Sequence, residues 1–488
     1  MRPFLFLTAF LLVTLSLSAQ QRFTPQQLQA DLVVVQKVYK MLHPGIYKYA
    51  DSATIDRAFA DCQRELSQPR TLPETYLSLM KLTASFQCGH SYPNFYNQGE
   101  TVKALFEQST SLPIWFRWVE GKLLVTHSIE ANIPVGAVVS AIDNVPVAQI
   151  VAKMLPFVRA DGANDGKRRD LLRVRGQHFE YFDILLPLLF PTDKATRQLT
   201  FSGGANWAKR TRIRTVPTVN HAGRDRQIRQ SGTAPPDSAI RFSWVDAQTA
   251  RLEINTLANW DNKVNFGKQY DATLTTFNQK NGKNLIIDLR RCEGGDLWNG
   301  KQLVRHLIDK PITINEQQDC WAYVSMDSSL SQYIDNQWAY QYRYRNVNDF
   351  ERLPSGLFRG RKGGGGRRLD PSPNHLTGRI FLLTSATNSS AAWQMAMVFR
   401  EHNLATLVGQ ETGGNQKGIT AGALFFMRLP NTGIEVDVPL IGMDYAEAAK
   451  HPNAGIRPDI LVEPTLRQAR QGIDQEMQVV QKLIAAGK

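Results

Sequence analysis

Apolar positions in the first part of the chain recur on a helical period. Thr24-Pro25 opens a run in which Leu28, Leu32, Val35 and Val38 return every three or four positions, with Thr24 as cap and Pro25 in the first turn. His43-Pro44-Gly45 closes it. A second helix is predicted from about Ser52 to Ser67, with Ile55, Phe59 and Cys62 on one side. A third begins near Leu72-Pro73-Glu74, carries Tyr76, Leu77, Met80 and Leu82, and runs out at Gln87-Cys88-Gly89-His90-Ser91, leaving His90 just past a helix end. From residue 103 the period shortens. Leu112 to Trp118 and Lys122 to His127 read as strands joined at Glu120-Gly121, and Ile133 to Val147 as a turn, a strand and a tight turn leading into a short helix. Val216 to Ala239, rich in Pro, Gly, Asp, Arg and Gln, reads as an exposed connection.

Near Ile240 the pattern becomes strand, turn, helix, and it repeats. Ala250 to Asn255 is a predicted strand and Val264 to Asn278 a helix. Asn284 to Arg290 is a buried strand, Cys292-Glu-Gly-Gly-Asp296 a glycine turn, and Leu297, Leu303, Val304 and Leu307 belong to the next helix. Ile380 to Thr384 is a further strand. Small polar residues follow to Ser389, and a helix with Trp393, Met397 and Arg400 on one face begins at Ser390. Such alternation implies a mostly parallel sheet with helices packed on it and ligands at the carboxyl ends of its strands. More strands are expected at Ala405–Gly409, Ala423–Leu429 and Ile434–Pro439, and a helix from Leu466 to Ala486. Gly360 to Arg368, with four successive glycines, reads as a mobile loop, with a substrate-side flap as the alternative.

Two of these turns hold chemistry. The first amides of a helix lack internal partners, and its dipole there favours negative charge. A nucleophilic Ser390 would have the Ala391 amide beside it to hold an oxyanion, and the Gly294 and Gly295 amides can turn outward with no side chain in the way. The competing reading is that Ser389 or Ser390 only caps the helix. A serine nucleophile needs a base, and His90 and Lys417 are the candidates.

The 488 residues suffice for several domains, and 42% apolar with 21% charged residues is ordinary for a soluble globular chain. Met1-Arg2, the apolar run Phe4 to Leu17 and the small Ala19 read as a secretory signal peptide cleaved after Ala19, too short for a stable membrane span. The protein is therefore expected to be exported, periplasmic or secreted. The formal charge of +13 is thinly spread, and without a binding module no nucleic-acid partner is expected. Cys62, Cys88, Cys292 and Cys320 lack zinc spacing; no metal or cofactor is predicted, and three disulfide pairings are possible.

Asp288-Leu-Arg-Arg-Cys-Glu-Gly-Gly295, Ser389-Ser-Ala-Ala-Trp393, Val408-Gly-Gln-Glu-Thr-Gly-Gly414 and Gly455-Ile-Arg-Pro-Asp459 occur in this order. Together they resemble the tail-specific, or C-terminal processing, serine peptidase family. Cys88-Gly-His-Ser91 after a helical region is similar to its histidine-using branch, which includes the tricorn protease core. The resemblance implies an α/β fold. A ClpP/crotonase-like β/α catalytic domain (240–465) would follow a signal peptide (1–19), an N-terminal helical region carrying the base (24–98), a small β-rich PDZ-like domain (103–215) and a linker (216–239). A C-terminal helix (466–488) would close the chain. It implies cleavage of peptide or protein substrates through an acyl-enzyme on Ser390, with His90 as base and Gly294 or Gly295 with Ala391 as oxyanion hole. The lysine-using branch has its base where this chain has Asn415; Lys417 lies two further on. The branch's usual serine before the histidine is Gly89 here. Its glutamate before the closing Gly-x-x-Pro-Asp is missing, so Glu447 or Asp444 is the expected acid. A Cys88–Cys292 bond is suggested by the position of both beside the site. An inactive peptide- or lipophile-binding protein on the same fold is the alternative, and an esterase a third reading.

Overall fold

Strand residues 285 to 287 show how the main sheet is built. Leu285 and Ile287 join the large apolar core, while Ile286 points the other way and packs with Phe381, Leu383, Val408 and Val480. Both faces are covered, as the near-continuous apolar sequence requires. The computed structural model describes residues 22–203, 210–234, 238–259, 263–314, 318–334, 344–361, 367–444 and 450–487. The expected leader at 1–19, the centre of the glycine-rich loop at 362–366, and Glu447 lie outside them.

The sheet has six strands in the order Ile460–Leu461, Thr406–Gly409, Arg379–Thr384, Asn284–Asp288, Thr249–Ile254, Ile240–Trp244. All neighbours are parallel except the last pair. Helices Phe266–Gln279, Leu297–Arg305 and Ser390–Glu401 bury their apolar sides in the large core, and Gln475–Ala485 contributes Val480 to the opposite face. This is the ClpP-like β/α arrangement expected of the catalytic part.

A five-stranded sheet built mainly on the hairpin Ile419–Arg428 and Glu435–Asp444 stands beside it. The amino-terminal helices dock here. Helix Pro25–Leu42 opens with a reciprocal capping box between Thr24 and Gln27, and Leu72–Ser85 with one between Thr71 and Glu74. Buried Asp31 on the first helix accepts hydrogen bonds from Asn431 N (2.9 Å), Thr432 N (2.9 Å) and Thr432 Oγ1 (2.6 Å) at the hairpin turn. Tyr39 Oη donates to Asp437 O at 2.7 Å. The segment after the third helix is fixed the same way: Asp437 N donates to Tyr92 O (3.0 Å), and Asn94 and Asn97 donate to the Asp437 carboxylate at 2.7 and 2.9 Å.

Residues 103–217 contain a separate sheet in the order Ile114–Val119, Lys122–Ser128, Val138–Ile142, Thr196–Ser202, Thr211–Pro217. Among the described residues three α-helices accompany it, Val147–Met154, Asp165–Leu171 and Tyr181–Leu189. Three sequence expectations are corrected. The exposed connection at 216–239 contains the helix His221–Gln230, whose Arg224 is 1% exposed. That guanidinium bonds Asp183 at 2.8 and 3.1 Å and Asp225 at 2.8 Å, so a polar-looking stretch is an anchored core element. The C-terminal helix is two helices, Leu466–Arg470 and Gln475–Ala485, parted at Gly472 with φ +70°. None of the four cysteines forms a disulfide; Cys88 Sγ instead approaches Thr420 O at 3.6 Å.

Arg224→Ala leaves two buried carboxylates without their cation. It is expected to destabilise the protein by about 3–5 kcal/mol, read as a lower denaturant midpoint. A change below about 1 kcal/mol would mean the pair adds little here.

Candidate active site

Ser390 stands where the Arg379–Thr384 strand gives way to its helix, with φ +47°. A β-carbon in that region is strained, and such strain persists only where surrounding bonds enforce it. The bonds are present. Asn388 Nδ2 donates to Leu289 O (2.6 Å) and Cys292 O (2.9 Å), Ser385 Oγ to Arg290 O (2.8 Å), and Ser389 N to Glu293 O (3.1 Å). The serine turn is thus stitched to the glycine turn. Neither serine hydroxyl caps the helix: Ser389 Oγ donates to Glu293 O at 3.2 Å, and Ser390 Oγ lies 3.3 Å from His90 Nε2.

The glycine turn is equally constrained. Gly294 and Gly295 have φ of +151° and +140°. A β-carbon on Gly294 would sit 2.9 Å from Ser390 Cβ and 3.1 Å from the Ala391 nitrogen; one on Gly295 would sit 2.0 Å from the Ala258 nitrogen. Leu257 N donates to Gly294 O at 2.9 Å and Asp296 N to Leu257 O at 3.1 Å. Because a trans peptide opposes its C=O and N–H, the Gly295 N–H points away from Leu257. That amide and the Ala391 amide make no backbone hydrogen bond among the described residues. Two outward amides near a hydroxyl that touches an imidazole form an arrangement competent for acyl transfer.

Of the residues singled out from sequence, the structure brings together His90, Ser390, Gly294, Gly295 and Ala391. Glu447 lies outside the described residues, as does the Asp444 side chain. Asn415 is buried and spends its amide on Asp161 O (3.2 Å) and Asn453 Oδ1 (2.6 Å). Lys417 is half-buried on the same loop, and the ring nitrogen within hydrogen-bonding distance of Ser390 Oγ is His90 Nε2.

Sequence reasoning missed an inner ring of charge. Glu293 Oε1 takes Lys167 Nζ at 3.0 Å and Arg159 Nη2 at 3.4 Å. Burial alone would raise the Glu293 carboxyl, but Lys167, Arg159 and Arg175 overcome it and hold the group far below the usual carboxylate range. His90 is lowered from its ordinary 6.5, chiefly by burial, with Asp161 and Glu293 raising it and Arg159 and Lys167 lowering it further. It is therefore neutral at pH 7, as a base must be. Behind it, Gly45 N donates to His43 Nδ1 (3.1 Å), which leaves Nε2–H to donate to Ser91 Oγ at 3.1 Å. Asp437, in the seam that holds this segment, is pushed up to about 7 by burial. The signal available in sequence was Arg159-Ala-Asp-Gly-Ala-Asn-Asp-Gly-Lys167, a charged, glycine-bearing turn directly after an apolar helix. Among the described residues no cluster could hold a metal ion, and no helix is long and apolar enough to cross a membrane.

The family model for peptidase family S41 matches residues 248–462. That segment belongs to peptidase family S41. It spans the sheet except its edge strand Ile240–Trp244, the glycine turn, Ser390 and the hairpin, and makes the chain a serine-type peptidase. No match was found among curated proteins. The fold is similar to that of mature CPAF complexed with lactacystin, at 15% identity over 94% of this chain and 98% of that one, with a TM-score of 0.63. It is also similar to the CPAF s499a mutant, at 14% identity over 92% and 94% of the two chains, with a TM-score of 0.58. At such identities the likeness speaks for the fold alone. It extends well beyond the S41 segment, over the helical front and the β-rich part.

Gly294→Ala in this S41 domain would put a methyl against Ser390 and the Ala391 amide. It is expected to lower kcat/KM by on the order of 100-fold, and to lower thermal stability as well, since alanine is strained at φ +151°. Activity within about twofold of wild type would show that the amide pair faces some other group.

Proposed function

We propose that the protein is an exported serine endopeptidase that cleaves peptide bonds through an acyl-enzyme on Ser390, with His90 as general base. The observation that carries this reading is the 3.3 Å approach of His90 Nε2 to Ser390 Oγ across 300 positions of sequence. His90 takes the Ser390 proton as Oγ attacks the scissile carbonyl. The carbonyl oxygen becomes an oxyanion that the Ala391 amide and the glycine-turn amide, Gly295 foremost, are suited to hold. Collapse of the tetrahedral adduct breaks the C–N bond, and the amine leaves with the proton from His90. Water then attacks the ester by the same route and frees Ser390. The strained φ of Ser390 and the stitched turns support this assignment, because they fix the hydroxyl before substrate arrives. Export is supported by the leader from Met1 to Ala19.

A fluorophosphonate probe is expected to label wild type, and Ser390→Ala and His90→Ala to reduce labelling by roughly 1000-fold or more. Labelling that survives in Ser390→Ala assigns the nucleophile elsewhere. Because burial lowers His90, the labelling rate should hold on acidification through pH 6.5 and fall only below it, when the imidazole protonates; a limb above pH 6.5 would contradict the assigned base.

Export has its own check. Expressed in a bacterium with its leader, the chain should accumulate outside the cytoplasm with a mass starting at Gln20. Retention of the full-length chain in the cytoplasm would refute it.

A further inference from the structure

We propose that Asp161 is the positioning acid of His90, a carboxylate supplied by the turn before helix Asp165–Leu171 rather than by the end of the catalytic domain. The inference rests on the His90–Ser390 reading given above. A base that takes up a proton becomes an imidazolium, and in a buried site that cation needs a fixed negative charge nearby. His90 Nδ1 is buried with no hydrogen-bond partner among the described residues, so the ring has no direct carboxylate ligand to serve it. The groups facing the ring are Asp161 and Arg159 from one turn, Glu293 from the glycine turn, Lys167 from its helix, and His43 from the end of the first helix.

Glu293 is already spent. Its Oε1 takes both Lys167 and Arg159, so the charge it shows His90 is largely cancelled. Asp161 differs. It has no ion pair among the described residues, it is 1% exposed, and its Oδ1 accepts one backbone hydrogen bond, from Gly89 N at 2.8 Å. The contact is built from several sides. Gly162 N donates to Gln87 O at 2.8 Å, Arg159 Nη1 donates to Gly89 O, and Asn415 Nδ2 donates to Asp161 O at 3.2 Å.

Gly89 completes the case. A β-carbon there would lie 2.6 Å from Asp161 Oδ2 and 3.0 Å from its Cγ. The carboxylate therefore fills the volume a side chain before the base would occupy. Glycine next to His90 and an acid at 161 are two halves of one arrangement: either alone leaves a hole or a clash.

Asp161→Asn keeps an oxygen for Gly89 N–H and removes only the charge. It is expected to lower kcat at least tenfold with KM nearly unchanged, and to move the acid limb of kcat to lower pH, since the group that raises His90 is gone. Asp161→Glu should retain the wild-type limb. A purely structural residue would lower kcat without moving the limb. Gly89→Ala, which displaces the carboxylate without deleting it, supplies the same readout should the Asp161 variants fail to fold. In an Asp161→Ser background that change should cost little more, because the clash is relieved. Folded Asp161→Asn, or Gly89→Ala, with wild-type kcat and acid limb overturns the proposal while Ser390-dependent labelling stands. Labelling that does not depend on Ser390 overturns the proposed function and this inference together.

Discussion

The docking of the amino-terminal helices on the Ile419–Arg428 and Glu435–Asp444 hairpin is the constraint on which the site depends. Apolar packing supplies most of the attachment, because Leu28, Val35, Val38 and Tyr39 share one core with Phe425, Val436 and Val438. Apolar contact alone would let the helices slide. The buried polar seam fixes the register: Asp31 caps the hairpin turn, Tyr39 reaches Asp437 O, and Asn94 and Asn97 clamp the Asp437 carboxylate. Each of these groups would be costly to bury without its partner, so a shifted docking would leave several unsatisfied. The geometry at His90 inherits that precision.

The second constraint is local. The serine turn and the glycine turn are held by side chains whose acceptors are the backbone carbonyls of the other turn, as with Asn388 to Leu289 and Cys292 and Ser385 to Arg290. Two loops that are each unremarkable become one rigid unit, and the positive φ of Ser390 is the strain that unit sustains. Around it the charges are arranged in pairs, with Glu293 between Lys167 and Arg159. These cations keep one carboxylate permanently ionised, and burial keeps the imidazole neutral.

The parallel sheet was legible because its strands are short, nearly continuous apolar runs bounded by small-residue turns, and their length and flanks rather than a period identify them. The helix from Thr24 was legible because a cap, a proline and a spaced apolar stripe agree. What sequence hid was contact at long range. Arg224 sits in a stretch whose composition reads as exposed, and only its two carboxylate partners, one of them Asp183 on another helix, make it a core residue. Gly472 ended a helix that the apolar period carried through, since a periodic stripe does not register a single left-handed residue. In the site, Ser390, His90 and the glycines were visible from motif and turn. For Lys167 and Arg159 only the charged, glycine-bearing turn that holds them was legible, because a turn does not tell a lysine that will be buried against Glu293 from one bathed in solvent.

Division of the site between the two ends of the chain has a consequence for timing. The S41 segment at 248–462 contains the hydroxyl and both turns, yet the imidazole arrives from residue 90 through a seam that exists only after the hairpin has formed. In the proposed mechanism the growing polypeptide is therefore inert: its front end emerges with a histidine and nothing to activate, and the serine follows far behind. Hydrolytic competence appears with tertiary closure itself. Latency of this kind needs no propeptide.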